Sequence, residues 1–405
     1  MHRVLVDERR WLDEREYLAA LNFCMLLPGP EAMQLAAYAG WKLYGWRGAL
    51  AAGTLFVIPG ALVVFVLAWC YALYGRLPAV EAVFFGIKAA VVAIVVEALV
   101  RVAKRALRDS LEWWLAAVAF LALYFLAAPF PLVIVAAGLI GFWFGSKHSP
   151  TGEAAGSIAS AQSRRARGAR PAEWRKTLWT VALWLCIWLL PVAVLAVSFG
   201  TDHVFSRVAF FFSKLAVVTF GGAYAVLSYL AQQSVESYGW LTAGEMIDGL
   251  GLAETTPGPL ILVTEFVGFI AGYRRAGGVT GGAWAAVITL WVTFVPCFLW
   301  ILAGAPYIER LRDNPRLSGA LSAITAAVVG VILNLTLWFG LHVMFGSVER
   351  AHFGWFQPWL PRFATLDAAA LALSIIAAIA LLRFHIGLVR TLAVCATLGA
   401  AYRLL

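Results

Sequence analysis

The sequence predicts an all-α, multi-pass membrane protein built from two homologous helical halves. Three observations carry this. Hydrophobic residues make up 62% of the 405-residue chain and charged residues only 13%, and the mean hydropathy is +0.83; soluble domains carry about 25% charged residues. Apolar runs long enough to cross a bilayer, about 20 residues each, recur along the chain. A short pattern also occurs twice. Trp11-Leu12, Glu16, Leu21 and Pro28-Gly29-Pro30 return as Trp240-Leu241, Glu245, Leu250 and Pro257-Gly258-Pro259, each 229 residues on, and residues 11–30 match their partners at 7 of 20 positions.

Taken in order, residues 1–16 are rich in charge (Asp7 to Arg10, Asp13 to Glu16) and read as an interfacial helical lead-in. No apolar core precedes them, as a signal sequence would require. A broken helix follows at about 19–41, then spans at 49–74, 80–100, 111–128 and 130–145. Residues 146–176, rich in Ser, Ala, Gly and Arg, read as a flexible linker. That linker holds Lys147, Arg164, Arg165, Arg167, Arg170, Arg175 and Lys176 against Glu153 and Glu173, so seven minus two gives +5 of the chain's +9. A short basic loop of this kind marks the cytoplasmic side. The second half has spans at 178–199 and 204–231, a broken helix at 246–273, and spans at 281–304, 318–345, 366–382 and 384–404. The expected units are therefore a first repeat at 1–145, the linker at 146–176 and a second repeat at 177–405.

The duplication extends past the Pro-Gly-Pro pair. Ile87–Val92 aligns with Ile324–Val329 at an offset of 237, which also joins Pro59 to Pro296 and Pro78 to Pro315. The change of offset falls in the Gly-rich stretch near 272–282, whose pairs Gly277-Gly278 and Gly281-Gly282 read as loop residues. Thr219-Phe220-Gly221-Gly222-Ala223 precedes the second pattern, and its counterpart would fall ahead of Met1. The first repeat is accordingly expected to lack its opening helix. With the linker inside, loop 101–110 falls inside, the Pro78 loop outside and the Pro315 loop (Arg310, Arg312, Arg316) inside. An inverted repeat follows if each broken segment crosses the membrane; a re-entrant hairpin would make the repeats parallel.

The site expectation rests on backbone chemistry. Prolines flanking a glycine interrupt a helix, and the freed N–H groups at depth must line a cavity or bind something. A new helix N-terminus presents unpaired N–H groups and the positive end of the dipole, which suits an anion. Paired helix breaks at matched positions are the mark of a transport site. The substrate-binding candidates are Pro28, Gly29, Pro30, Thr255, Thr256, Pro257, Gly258 and Pro259, with Phe220, Gly221 and Gly222 allowing close backbone approach or a kink. Each Pro-Gly-Pro is expected to start a helix with proline at its first position. Lys88, whose repeat partner is Thr325, and Lys214 are candidates to neutralise the anion. Glu31 and Glu254 are candidates to carry a coupling proton or pair with those lysines, and Glu265 joins them as a charge inside an apolar run. Glu81 and Glu97 read as interfacial, Glu97 reaching toward Arg101, while Asn22 and Gln34 flank the first break as partners for its backbone.

Other chemistry has no footing. The six histidines (2, 148, 203, 342, 352, 385) show no metal-ligand spacing, and the five cysteines (24, 70, 186, 297, 395) are scattered through apolar runs as small core residues. No metal or other cofactor is expected. There is no HExxH, and no strand precedes a glycine pair to build a phosphate cradle, so neither an enzyme nor ATP-driven transport is indicated. Trp113, Trp114, Trp174, Trp179, Trp355 and Trp359 sit near span ends as interface anchors. The net positive charge does not point to nucleic acid.

The residues Trp11-Leu12 with Leu26-Leu27-Pro28-Gly29-Pro30, and Phe220-Gly221-Gly222 with Thr256-Pro257-Gly258-Pro259, resemble the chromate transporter family of bacterial inner-membrane proteins in its long two-domain form. The resemblance covers nearly the whole chain. It implies efflux of chromate, a tetrahedral divalent oxyanion, across the cytoplasmic membrane, giving chromate resistance, through two oppositely oriented halves. The Pro-Gly-Pro breaks would then face each other near the midplane. Sulfate or another oxyanion is the alternative substrate, and an anion channel or an intramembrane enzyme the alternative class. The expected partners are the oxyanion and the bilayer, with a homodimer left open.

Overall fold

The computed structural model describes residues 1–144, 173–220, 222–256, 258–305, 315–351 and 353–405. Nearly all of the linker, together with Gly221, Pro257, Arg310 and Arg312, lies outside them. The helices in chain order are α1 (Glu14–Leu26), α2 (Glu31–Tyr74), α3 (Pro78–Ala106), α4 (Ser110–Leu126), α5 (Phe130–Phe144), α6 (Glu173–Phe199), α7 (Val204–Val218), α8 (Ala223–Ala231), α9 (Ala243–Thr255), α10 (Val263–Arg275), α11 (Gly278–Gly304), α12 (Pro315–Met344), α13 (Ala368–Leu382) and α14 (Leu388–Leu404). A two-stranded antiparallel ribbon, β1 (Val348–Arg350) with β2 (Trp359–Pro361), joins α12 to α13. Among the described residues, Glu31–Tyr74, Pro78–Ala106, Trp174–Phe199, Gly278–Gly304 and Pro315–Met344 are long and apolar enough to cross a membrane. The chain is a multi-pass membrane protein.

The repeat is visible in local chemistry. Single π-helical turns at Arg3–Glu8 and Gln232–Ser237 stand 229 residues apart, as do α1 and α9. Each of those helices starts on a side-chain cap: Asp13 accepts from the Glu16 amide, and Thr242 from the Glu245 amide. The cap residue differs while the position repeats.

The broken segments do not cross. Glu16 on α1 pairs with Lys42 of α2 at 2.7 Å, so the arms on either side of Gly29 lie antiparallel, with the Pro-Gly-Pro at the tip. In the second copy Arg274 of α10 is ion-paired with Glu245 of α9 and donates to the Trp240 carbonyl at 3.0 Å. Each arm of 13 residues rises about 20 Å, short of the roughly 30 Å hydrocarbon core. The run at 204–231 behaves alike. It breaks after Thr219, Gly222 takes φ +96°, and Phe211 of α7 packs against Tyr229 of α8. The expected crossings at 19–41, 204–231 and 246–273 are therefore three re-entrant hairpins, because ion and ring pairs between the arms hold each segment folded back.

A second reversal follows each Pro-Gly-Pro hairpin. α2 leaves helical geometry at Tyr44 and Gly45 (φ +62°), and a Cβ on Gly40 would overlap the Gly48 carbonyl. Eight residues of continuous helix would hold those two about 12 Å apart, so α2 consists of two antiparallel arms, 31–43 and 46–74. The counterpart turn is Ala276-Gly277, with Gly272 against the Gly281 carbonyl. Gly281 and Gly282 are thus helical residues of α11 and not loop; lacking Cβ atoms, they let α10 and α11 pack closely.

The halves interlock through small residues. Gly86 of α3 packs on the backbone of Cys395 and Ala396 in α14, while Gly330 of α12 packs on Ala116 and Phe120 of α4, and Gly141 of α5 on Gly319. Each half's last helix pair therefore covers the other half's long helix. In lipid, where apolar surface alone drives little association, this close backbone approach is the main source of packing energy. Cys24, Cys297 and Cys395 are buried, but Cys70 and Cys186 face outward, so those two are not core residues. The hairpin clamps give a first prediction. Glu245→Ala removes a half-buried partner of Arg274 together with a capping box and is expected to destabilise by about 2–3 kcal/mol. Glu16→Ala removes a more exposed pair and should cost about 1 kcal/mol or less. Thermal unfolding of the two purified variants checks the order.

Candidate functional site: the convergent hairpin tips

Three hairpin tips meet through two hydrogen bonds. The Gly29 amide donates to the Thr219 carbonyl at 2.9 Å, joining the first Pro-Gly-Pro to the Phe-Gly-Gly turn. The Tyr224 hydroxyl donates to Glu254 Oε1 at 2.5 Å, joining that turn to the end of α9 just before the second Pro-Gly-Pro. α2 starts at Glu31 after Pro30, and α8 at Ala223 after Gly222; among the described residues neither start has a side-chain cap. Two helix N-termini with unpaired amides therefore begin close to one hydrogen bond. Such an arrangement attracts an anion.

The first tip is buried and closed. Gly29 sits at φ +120°, and Gln34 Nε2 donates to the Pro28 carbonyl at 2.7 Å, the backbone role its position suggested. Since the Gly29 N–H is already used, this tip can offer only the amides beyond it. The second tip is more open. Gly258 is exposed, at φ +134°, and an added Cβ would lie 3.3 Å from Gly60 Cα. The first tip meets the matching place in the other half: a Cβ on Gly29 would lie 2.8 Å from Cys297 Sγ. Pro59-Gly60 and Pro296-Cys297 are the repeat-related proline positions inside the long helices. Neither motif places proline first in its helix. Pro30 and Pro259 occupy the cap position, and the second motif leads into a 3-10 turn, Leu260–Leu262, before α10.

The remaining candidates separate. The Thr255 and Thr256 hydroxyls donate to the carbonyls of Leu252 and Ala253 in their own helix and do not point to a ligand. Phe220 and Gly222 flank the break, and an added Cβ on Gly222 would meet none of the described residues within 4 Å. Glu31 is half-buried at the first position of α2. Glu265 is 1% exposed and its Oε2 lacks a partner among the described residues. Lys214 is exposed and lies over the Tyr229 ring, 5.8 Å from its centroid. Lys88 faces a different acid from those expected: its Nζ is 3.3 Å from Asp248 Oδ2, in a cavity of about 870 Å³ at the base of the second hairpin. Glu97 pairs with Arg101 as its spacing suggested.

Sequence reasoning missed Asp248, Tyr71 and Tyr224. Asp248 had the same signal as the other acids, a charge within the apolar run 246–273. The tyrosines gave none, because their roles depend on partners 177 and 30 residues away. Among the described residues no group of three or more His, Cys, Asp or Glu is placed to hold a metal.

Residues 1–142 and 206–400 match the chromate transporter family. The chromate transport protein of Pseudomonas aeruginosa is 33% identical over 337 residues, covering 82% of this chain and 73% of that protein. The chromate transport protein of Cupriavidus metallidurans is 29% identical over 334 residues, covering 82% and 74%. No solved structure matches. With matched segments on both sides of the linker, in a helical membrane protein whose breaks meet, the chain belongs to the chromate transporter family, a family of transporters and not of enzymes.

Proposed function

We propose that this protein is a secondary transporter that exports chromate across the bacterial cytoplasmic membrane and so gives chromate resistance. The observation that carries this reading is the Gly29–Thr219 hydrogen bond, which brings the uncapped starts of α2 and α8 together deep in the bundle. A tetrahedral dianion has oxygens enough to accept from both helix ends at once. Tyr224 and Glu254 close the third side. Export needs no ATP, since moving a dianion out of a negative-inside cell is favoured by about 4.6 kcal/mol per 100 mV, at about 2.3 per charge.

The two halves, 1–145 and 177–405, form an inverted repeat about this site, joined by the basic cytoplasmic linker 146–176. Support comes from the chain path. With three segments turned back, the second arm of α2 and then α3, α4, α5 and α6 separate the two Pro-Gly-Pro hairpins, an odd number of crossings. The base of the second hairpin, Thr242 and Glu245, also lines the same cavity as Gly75 and Pro78, at the far end of α2 from the first hairpin's Lys42. A re-entrant hairpin is thus compatible with inversion here, because the run at 204–231 turns back as well. Alternating access would come from the halves rocking about the tips.

A chromate-sensitive host producing this chain is expected to accumulate several-fold less chromate than one with an empty vector. A Pro257→Ala, Pro259→Ala variant at equal membrane abundance should lose the difference. Equal chromate content with and without the wild-type protein, despite good insertion, would reject chromate export.

A further inference from the structure

The cavity beside Lys88 holds an ion pair that the tips do not explain. Lys88 Nζ and the Tyr71 hydroxyl both engage Asp248 Oδ2, at 3.3 and 2.7 Å. Asp248 is only 3% exposed, yet among the described residues its Oδ1 has no partner. A buried carboxylate with half its acceptor capacity unused is costly, and this one lines a space of about 870 Å³. Arg76, Arg274 and Arg403 line it too. Arg274 is committed to Glu245, and Arg403 pairs with Asp367 at 3.1 Å. Lys88 meets its counter-ion Asp248, itself part of the cavity wall, through a single 3.3 Å contact. Glu81 and Glu245 are the other acids facing the space. The arrangement exists on one side only: Thr325 stands at the repeat position of Lys88, and Ala19 at that of Asp248.

We propose that this cavity is a second, low-affinity station for the transported oxyanion, with Asp248 as a built-in counter-anion that competes for Lys88. This deepens the export reading and rests on it. When the station is empty, Lys88 is held by Asp248. An arriving dianion takes the lysine, whose compact ammonium exchanges partners more readily than a bidentate guanidinium. Asp248 then keeps only the Tyr71 hydrogen bond, and its charge next to the dianion drives release. The cavity lies at the end of α2 and the start of α3, away from the basic linker, so the station is on the release side.

The test uses the purified full-length protein, with chromate binding measured by calorimetry and chromate flux measured in proteoliposomes. Asp248→Asn is isosteric and is expected to bind chromate about 10-fold more tightly while turning over more slowly. Lys88→Gln is expected to bind about 10-fold more weakly. Tyr71→Phe leaves Lys88 as the only partner of Asp248 among the described residues and should weaken binding by a smaller factor. The double variant Asp248→Asn, Lys88→Gln should bind no more tightly than Lys88→Gln. Opposite signs for the two single variants support competition, since a structural brace would weaken binding in both. If Asp248→Asn weakens binding as Lys88→Gln does, or if neither changes it while the wild type transports chromate, the counter-anion is overturned and export stands. A wild type that neither binds nor moves chromate overturns both.

Discussion

Gly29→Ala is expected to abolish the proposed chromate export while the protein still reaches the membrane. Gly29 sits at φ +120°, where a side chain costs about 1–3 kcal/mol in backbone strain. The new methyl would also lie 2.8 Å from Cys297 Sγ and 2.9 Å from Gln34 Nε2. Relief requires the tip to move, and the smallest movement breaks the hydrogen bond from the Gly29 amide to Thr219. The starts of α2 and α8 then separate, and the proposed anion site loses one of its two helix ends. Stability should fall far less than transport, because most of the fold's packing lies elsewhere. Adding Cys297→Ala removes the sulfur but not the backbone strain, so the double variant is expected to recover part of the flux. Proteoliposome flux, with thermal unfolding run beside it, measures both effects. Wild-type flux from Gly29→Ala would mean that the tips need not meet.

Gly86→Leu and Gly330→Leu are each expected to prevent stable assembly. A Cβ on Gly86 would overlap the Cys395 carbonyl oxygen, and one on Gly330 the Ala116 carbonyl oxygen. Backbone cannot swing aside as a flexible side chain can, so the helices must part. Overpacking at a site with room to adjust costs about 1–3 kcal/mol, and these contacts should reach or exceed the upper end. That is a large share of a typical total of about 5–15 kcal/mol. Gly340→Leu on α12 is the control, since none of the described residues lies within 4 Å of its added Cβ. Membrane abundance and a monodisperse profile on size exclusion are the measurements. If Gly86→Leu accumulated as well as Gly340→Leu, α14 would not pack on α3 as described.

Much of the fold was legible because its signals are local. Glu97 lies four residues before Arg101, and the two pair within one helix as that spacing suggests. Pro28-Gly29-Pro30 ends a helix wherever it stands, since proline supplies no donor and its ring clashes with the turn before it. The Gln34 contact at the first tip was legible for the same reason: it lies six residues from Pro28. Trp11 and Trp240 show where local identity fails. Trp240 is 1% exposed, stacked on Tyr238 and edged by Phe211, whereas Trp11 is 46% exposed and has Arg9 where Tyr238 stands. The same residue at the same repeat position meets different neighbours.

The sequence by itself determined the membrane class, the duplication, the family and the two Pro-Gly-Pro breaks, because composition and proline geometry act within a few residues of themselves. Only the tertiary structure decided where the chain goes after each stop. A broken helix can cross or turn back with the same local backbone, and the choice lies with Lys42 reaching Glu16, Arg274 reaching Glu245 and Phe211 meeting Tyr229. It likewise decided that Lys88 belongs to Asp248 and not to Glu31 or Glu254, since an ion pair forms with whatever charge packing brings within reach.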